Sequence, residues 1–392
     1  MDKPGWSIKR YVIVGTFCLL IVWNYWIPTF LYSSTVSLYG SGGPDFNTFY
    51  LAGQSWLSHR NPYLNVAPSP FVYPPTSLSF YGVFALFQID FASWLWMITY
   101  FIIFVIALVA LGFMLKDERR SLYVSIAALL FFTSYPLLIM MTLGQSDLLV
   151  ASLSILSLVG YRLKHSTVSA ILLSAATLLK GPPVLLLIYF VLYNRDAKYA
   201  VRFVASTVAF VVFSLVTVPF AWYAYYVTNV LPGLSVVSSW YMNQSIVTYV
   251  SALGFGKISG AISALGVGLF ALFSLFAGRR KSELFHGKSL LGDGMFLMNV
   301  LVMLLFGPRS WPATYVWVIL PLALFFSSIL TEQPRTLYLV LIGLATFLVN
   351  STLVQEFMLA TYPLAMFGNL ILTVCLSLIY LTPNSIFHAK RD

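Results

Sequence analysis

Apolar runs of membrane-spanning length recur along almost the whole chain, separated by short polar turns, and the pattern predicts helices throughout. The run 11–31 follows Lys9 and Arg10 and is long enough to cross ~30 Å of hydrocarbon at ~1.5 Å per residue. No small-residue cleavage site closes it, so a retained span is expected there rather than a removed signal peptide. Further spans are expected at 91–115, 122–143, 148–161, 201–220, 258–277, 290–306, 315–330, 337–353 and 363–381. Two stretches depart from the pattern. Residues 77–87 are short for a span, and 166–193 is interrupted by Lys180-Gly181-Pro182-Pro183, which gives either one kinked span or a hairpin of two short helices. The expected fold is all-α: a polytopic integral membrane protein of about 12 transmembrane helices. With no internal repeat or low-complexity tract, residues 1–392 read as a single multispanning domain.

Composition turns that pattern into an exclusion. With 59% hydrophobic and only 9% charged residues, the chain lacks the charged shell of a soluble domain. Cys18 and Cys375 sit in separate apolar runs without metal-type spacing, so neither a disulfide framework nor a zinc site is expected. The net charge of +10 would suggest a nucleic-acid partner in a soluble protein, but here the basic residues cluster between apolar segments, which reads as orientation and gives no nucleic-acid partner. Arg195/Lys198/Arg202, Arg279/Arg280/Lys281 and Lys390/Arg391 fall on the side of the amino terminus, so both termini are expected in the cytoplasm. The first outer loop (32–74), a second outer loop (221–250) and the turn Gly307-Pro308-Arg309-Ser310-Trp311 then share the opposite, non-cytoplasmic face. Two topologies fit, differing in whether Arg119/Arg120 and Arg162/Lys164 face the cytoplasm.

Of the 12 acidic residues, Asp45, Asp90, Asp147, Asp293 and Glu356 stand without a charged neighbour at or near apolar segments, where a charge is costly unless paired or wetted. Asp45 lies in Gly42-Gly43-Pro44-Asp45-Phe46-Asn47-Thr48-Phe49-Tyr50, directly after the first span. Glycines and proline predict a turn, with a helix starting at Asn47 or Thr48. Phe49, Ala52, Gly53, Trp56 and Leu57 would form its apolar face opposite Gln54, Ser55 and Ser58, as in a helix lying in the membrane interface. Asp45 is then either a helix cap or a functional carboxylate. Gly144-Gln145-Ser146-Asp147 is either a polar turn capped by Ser146 or a substrate-facing corner. Lys180, distant in sequence from other bases, must snorkel, pair with an acid or meet an anionic ligand. Arg309 runs against the positive-inside trend, and its guanidinium fork suits phosphate. Asn243-Gln244-Ser245 supplies amides of the kind that bind sugar hydroxyls.

The ordered set Asp45-Phe46, Phe49-Tyr50, Asn61-Pro62-Tyr63, Tyr73-Pro74-Pro75, Gly144-Gln145, Lys180-Gly181-Pro182-Pro183, Asn243-Gln244-Ser245 and Pro308-Arg309-Ser310-Trp311 resembles the polyprenyl-phosphate-mannose-dependent α-mannosyltransferases, glycosyltransferase family 87, of the GT-C class. The family usually places one or two histidines after the Ser-Trp turn, whereas this chain has Pro312, Ala313 and Thr314.

The resemblance implies a multi-pass cell-membrane enzyme of cell-envelope glycolipid assembly, with an interfacial helix in its first outer loop. It would move a sugar, mannose in the family, from a polyprenyl-phosphate-linked donor to a lipid-linked or glycan acceptor on the non-cytoplasmic face. Asp45 would take the acceptor's proton. Lys180 and Arg309 would hold the donor phosphate, whose departure needs no general acid. Tyr50, Tyr73, Gln145, Asn243, Gln244 and Trp311 would line the substrate site. No paired carboxylates accompany Asp45, which favours single-displacement inversion, and no acidic cluster calls for a metal or other cofactor. The rival class, a lipid or sugar transporter or flippase, shares the many spans, isolated charges and broken helix but should show related halves.

Overall fold

The computed structural model describes residues 42–64, 69–235, 243–284, 289–332, 335–350 and 364–381. The expected first span at 11–31 lies outside these, as does Glu356. Among the described residues the chain is helical, with no strand.

The first helix, α1 (Gly43–Leu57), starts four residues earlier than the sequence suggests. Gly42 takes the cap position with φ 92°, and Pro44 stands in the first turn, where its missing N–H costs nothing. Asp45 is therefore inside the helix rather than at its cap. The buried face also differs from expectation: Ser55 is enclosed and Leu57 exposed. Packing on α2 (Leu78–Ala85) sets this rotation. Gly53 lies so close to Ala85 and the Tyr81 carbonyl that a Cβ there would sit 2.9 Å from the Ala85 methyl, and the Trp56 ring fills the space over Gly82.

Helix α3 (Ile89–Phe113) divides cleanly. Trp96, Tyr100, Phe104, Ala107 and Leu111, spaced three or four residues apart, face inward, while Trp94, Ile98, Ile102, Val105, Val109 and Phe113 are exposed. A wholly apolar outer stripe of this kind is stable only against lipid. The expected span 122–143 is instead a broken pair, α4 (Asp117–Phe132) and α5 (Tyr135–Leu143), bent by 56°. Ser134 restarts the chain: its hydroxyl accepts from the Leu137 amide at 3.1 Å, and Pro136 favours a first turn.

Helices α6 (Asp147–Arg162) and α7 (Ser166–Leu179) form an antiparallel hairpin. After Leu179 the chain turns extended at Lys180 and returns through a 3₁₀ turn, Pro182–Leu186, and a π turn, Ile188–Tyr193. The interrupted region is thus two short helical pieces rather than one kinked span. Buried Asn299 supports the irregular piece, accepting from the Tyr189 amide at 3.0 Å and donating to the Leu185 carbonyl at 3.1 Å, because the prolines remove regular helix donors. The chain continues through α8 (Ala197–Ser214), α9 (Gly256–Leu284), α10 (Ser289–Phe306), α11 (Ile319–Ile329), α12 (Thr336–Asn350) and α13 (Leu364–Leu381).

Among the described residues, four helical stretches are long and apolar enough to cross a bilayer alone: Ile89–Phe113, Ala197–Ser214, Ile246–Arg279 and Pro312–Ile329, with the bent α4–α5 pair making a fifth. The described residues do not confirm the expected count of about twelve. Further apolar helical stretches of 10–17 residues lie at Ser166–Leu179, Pro182–Tyr193, Gly292–Phe306, Thr336–Asn350 and Met366–Leu381.

The helix ends sort into two groups. Asp147 opens α6 and Arg162 closes it, about 24 Å away along the axis. At the Arg162 end, buried Asp293 of α10 binds Arg119 and Arg162 and accepts from Ser328 Oγ at 2.7 Å. The Asp147 end carries Gln145, Lys180 and, through Gln145, Asp45. Of the two topologies the sequence allows, this arrangement fits the one in which Arg119/Arg120 and Arg162/Lys164 lie away from Asp45. Gly278, beside Arg279, approaches the Tyr193 carbonyl, so the basic segments flanking both residues also meet.

Candidate active site

A three-glycine corner brings the site together. Gly43 (φ 79°) and Gly144 (φ 70°) both hold left-handed backbone, and the two segments lie in direct contact. A Cβ on Gly43 would come within 2.3 Å of the Thr142 carbonyl oxygen, and one on Gly144 within 2.0 Å of the Gly42 carbonyl oxygen. Only glycine permits that approach. Aromatic packing clamps it: Phe46 stacks on Trp96, Phe49 stacks on Tyr81 with centroids 4.5 Å apart, and the Trp96 indole donates to the Gly144 carbonyl at 3.0 Å.

Asp45 is carried by the first turn of α1 to the far side of this contact, where Gln145 Nε2 donates to its Oδ2 at 2.6 Å. The carboxylate is half-buried, and among the described residues no cation pairs with it. Burial pushes its pKa above the ordinary carboxylate value; the Gln145 hydrogen bond and the field of Lys180 pull it down, and the field of Asp147 raises it. A reachable carboxylate with raised basicity, held by an amide rather than neutralised by an ion pair, is chemically suited to accept a proton.

Asp147 is fully enclosed and plays a different part. Lys180 Nζ donates to both of its oxygens at 2.7 Å, and Trp317 Nε1 donates to Oδ1 at 2.9 Å. Both oxygens are therefore occupied, so Asp147 is unsuited as a base or nucleophile. Of the alternatives open to Lys180 from sequence, pairing with an acid is the one realised. Two of its three N–H groups are committed to Asp147, leaving one. Two lone opposite charges in apolar segments are expected to meet, although the sequence alone does not say which acid Lys180 meets. Trp317, buried in the 3₁₀ stretch Pro312–Val318, carried no such signal.

Tyr73 also belongs to this end of the protein. Its ring meets Phe49 edge-on at 5.0 Å, and burial followed by the fields of Tyr81, Asp45 and Asp147 pushes its phenol well above the usual range. Tyr50 does not join it, because its hydroxyl donates to the Phe87 carbonyl at 2.8 Å and is buried there.

The second group of expected residues forms a sewn turn. Asn243 Nδ2 donates to the Pro308 carbonyl at 2.8 Å, and Asn243 Oδ1 accepts from the Ser310 amide at 2.9 Å. The Gln244 amide nitrogen donates to the Ser310 carbonyl at 2.7 Å, and the Gln244 carbonyl accepts from Tyr315 OH at 3.1 Å. The Asn243 side chain bonds from both ends across the turn and holds it together. Trp311 caps the 3₁₀ stretch in extended conformation and is half-buried. Arg309 projects from the turn, exposed, and donates to the Gly233 carbonyl at 2.9 Å, so the turn and the second outer loop are joined through it. Partial burial lowers its pKa, and among the described residues no acid pairs with it.

The other isolated acids are accounted for by position. Asp90 is exposed in the first turn of α3, where negative charge suits the helix dipole, and Asp293 is the counterion of two arginines. Among the described residues no group of three or more His, Cys, Asp and Glu side chains could hold a metal.

Among the described residues the arrangement offers a half-buried carboxylate held by an amide and, near it, a lysine paired with a second aspartate. The model of glycosyltransferase family 87 matches residues 71–308, and the chain belongs to that family. It is a membrane glycosyltransferase, and neither the fold nor the family supports the transporter alternative. Gln145, Asp147, Lys180, Asn243 and Gln244 lie inside the matched stretch; Asp45 precedes it and Arg309 follows it directly. No curated protein matches the chain.

Proposed function

We propose that this glycosyltransferase takes its sugar, mannose by family resemblance, from a polyprenyl-phosphate donor and transfers it with inversion to an acceptor hydroxyl on the non-cytoplasmic face. The single observation that carries the proposal is Asp45: a half-buried carboxylate of raised basicity, oriented by Gln145 and without a cationic partner among the described residues. The acceptor hydroxyl gives its proton to Asp45 as its oxygen attacks the anomeric carbon, and the C–O bond to phosphate breaks with its electron pair on the phosphate. Arg309 and the remaining N–H of Lys180 meet the growing negative charge. Inversion is favoured because the neighbouring carboxylate, Asp147, has both oxygens occupied and cannot form a covalent glycosyl intermediate. In this reading the shorter apolar helices complete the membrane crossings to about twelve, and the basic ends near Arg119, Arg162 and Arg279 face the cytoplasm. The acceptor is lipid-linked or a glycan.

The test is purified protein in lipid nanodiscs with a panel of polyprenyl-phosphate sugars, scored for release of polyprenyl phosphate and for the anomeric configuration of the product. Release from a polyprenyl-phosphate sugar with an inverted product is expected. Turnover of soluble nucleotide sugars in place of the lipid donors would refute the proposal.

A further inference from the structure

The Asp147–Lys180 pair has a third member that the family resemblance does not include. Trp317 lies six residues beyond Trp311, is 3% exposed, and aims its indole N–H at Asp147 Oδ1, the oxygen that also accepts from Lys180. It is held there by the turn that carries Arg309: Pro312–Val318 is a 3₁₀ stretch entered from Trp311, and Tyr315 within it is anchored on Gln244. Lys180 in turn occupies an extended residue at the end of α7, next to Gly181. An ammonium on a four-carbon stem at such a break has many rotamers open to it. A carboxylate gripped from one side by a rigid indole can hold that ammonium in one place.

We propose that Trp317 is a positioning residue, which acts through Asp147 to fix the Lys180 ammonium so that its one uncommitted N–H meets the donor phosphate. The inference rests on the lipid-phosphate reading given above and adds to it a link between two cations. Through one 3₁₀ stretch, the turn that presents Arg309 also sets the place of Lys180, so the two phosphate-binding groups keep a fixed relation. An indole N–H cannot be replaced here by ring bulk alone, because Phe offers no donor to Asp147.

The experiment uses polyprenyl monophosphate, the product common to every donor of this type, as the probe on the full-length protein in nanodiscs. Trp317→Phe is expected to weaken its binding about tenfold, the scale of a displaced charge-assisted hydrogen bond, with the melting temperature little changed. The same substitution is then made in an Asp147→Asn/Lys180→Met background, where the charged pair is replaced by a neutral one. There it should leave binding unchanged, since the only route from Trp317 to the phosphate has been removed. Trp317→His, which restores a ring N–H, should recover part of the affinity lost in Trp317→Phe. Equal losses in both backgrounds, or no loss in the native one, would overturn the proposal. Asp45→Asn, run alongside for sugar transfer, tests the underlying reading separately: it should bind the probe normally and fail to transfer, and if it transfers, the assignment of the site falls whatever Trp317 does.

Discussion

Asp45→Asn is the sharpest perturbation available. The substitution keeps the side-chain shape and leaves an amide oxygen in place to accept the 2.6 Å hydrogen bond from Gln145. It leaves the helix start untouched, because Gly42 and not Asp45 caps α1, and the glycine contacts that join residues 42–45 to 142–145 are backbone contacts. Stability should therefore change by less than about 1 kcal/mol. What is lost is the ability to take a proton. A positioned general base contributes ~10²–10⁴ in rate, so transfer should fall by at least ~10²-fold, or about 2.7 kcal/mol of barrier. Asp147 cannot substitute, since Lys180 and Trp317 fill its oxygens. The assay measures sugar transfer and polyprenyl-phosphate affinity on the same folded preparation. Loss of transfer with retained affinity is expected. Near wild-type transfer would remove Asp45 from the mechanism and with it the inference from a half-buried, unpaired carboxylate to a base; Glu356, outside the described residues, would then be the acid to examine.

The pH dependence follows from the same carboxylate. Activity needs it ionised, so the acid limb of kcat/KM should lie above the ordinary aspartate value of 3.8, and Gln145→Leu, which removes a bond that lowers the pKa, should move that limb to higher pH; a limb unmoved by Gln145→Leu would show that another group titrates. Arg309→Met should weaken polyprenyl-phosphate binding by ~1–3 kcal/mol, the scale of a lost charged hydrogen bond, with the fold retained, as read by titration and by melting temperature. Asp293→Asn should act the other way round, because it strips the shared counterion from Arg119 and Arg162 far from the site. Thermal melting should show a loss of ~3–5 kcal/mol, and activity per folded molecule should be nearly unchanged.

Composition and the long continuous apolar runs pointed to an all-helical membrane protein, since a helix satisfies its own backbone within lipid and a barrel strand would instead alternate over about ten residues. The sequence also reduced the search to a few isolated polar residues, because a charge in an apolar run is costly and therefore noticeable. It did not determine which of them meet. Asp45 and Gln145 are 100 residues apart, and it is the close backbone approach at Gly43 and Gly144, legible in sequence only as turn glycines, that puts their side chains in contact. Nor could spacing separate the roles of Asp45 and Asp147, two lone aspartates each beside a glycine-rich turn. Tertiary packing delivers Lys180 and Trp317 to Asp147, which makes it a counterion, and an amide to Asp45, which leaves it the carboxylate we propose as the base. The same holds for Asn243, whose side-chain amide bonds from both ends to residues 65 and 67 positions further along the chain. Residue type states what a side chain can bond; only the fold decides which bonds are already taken.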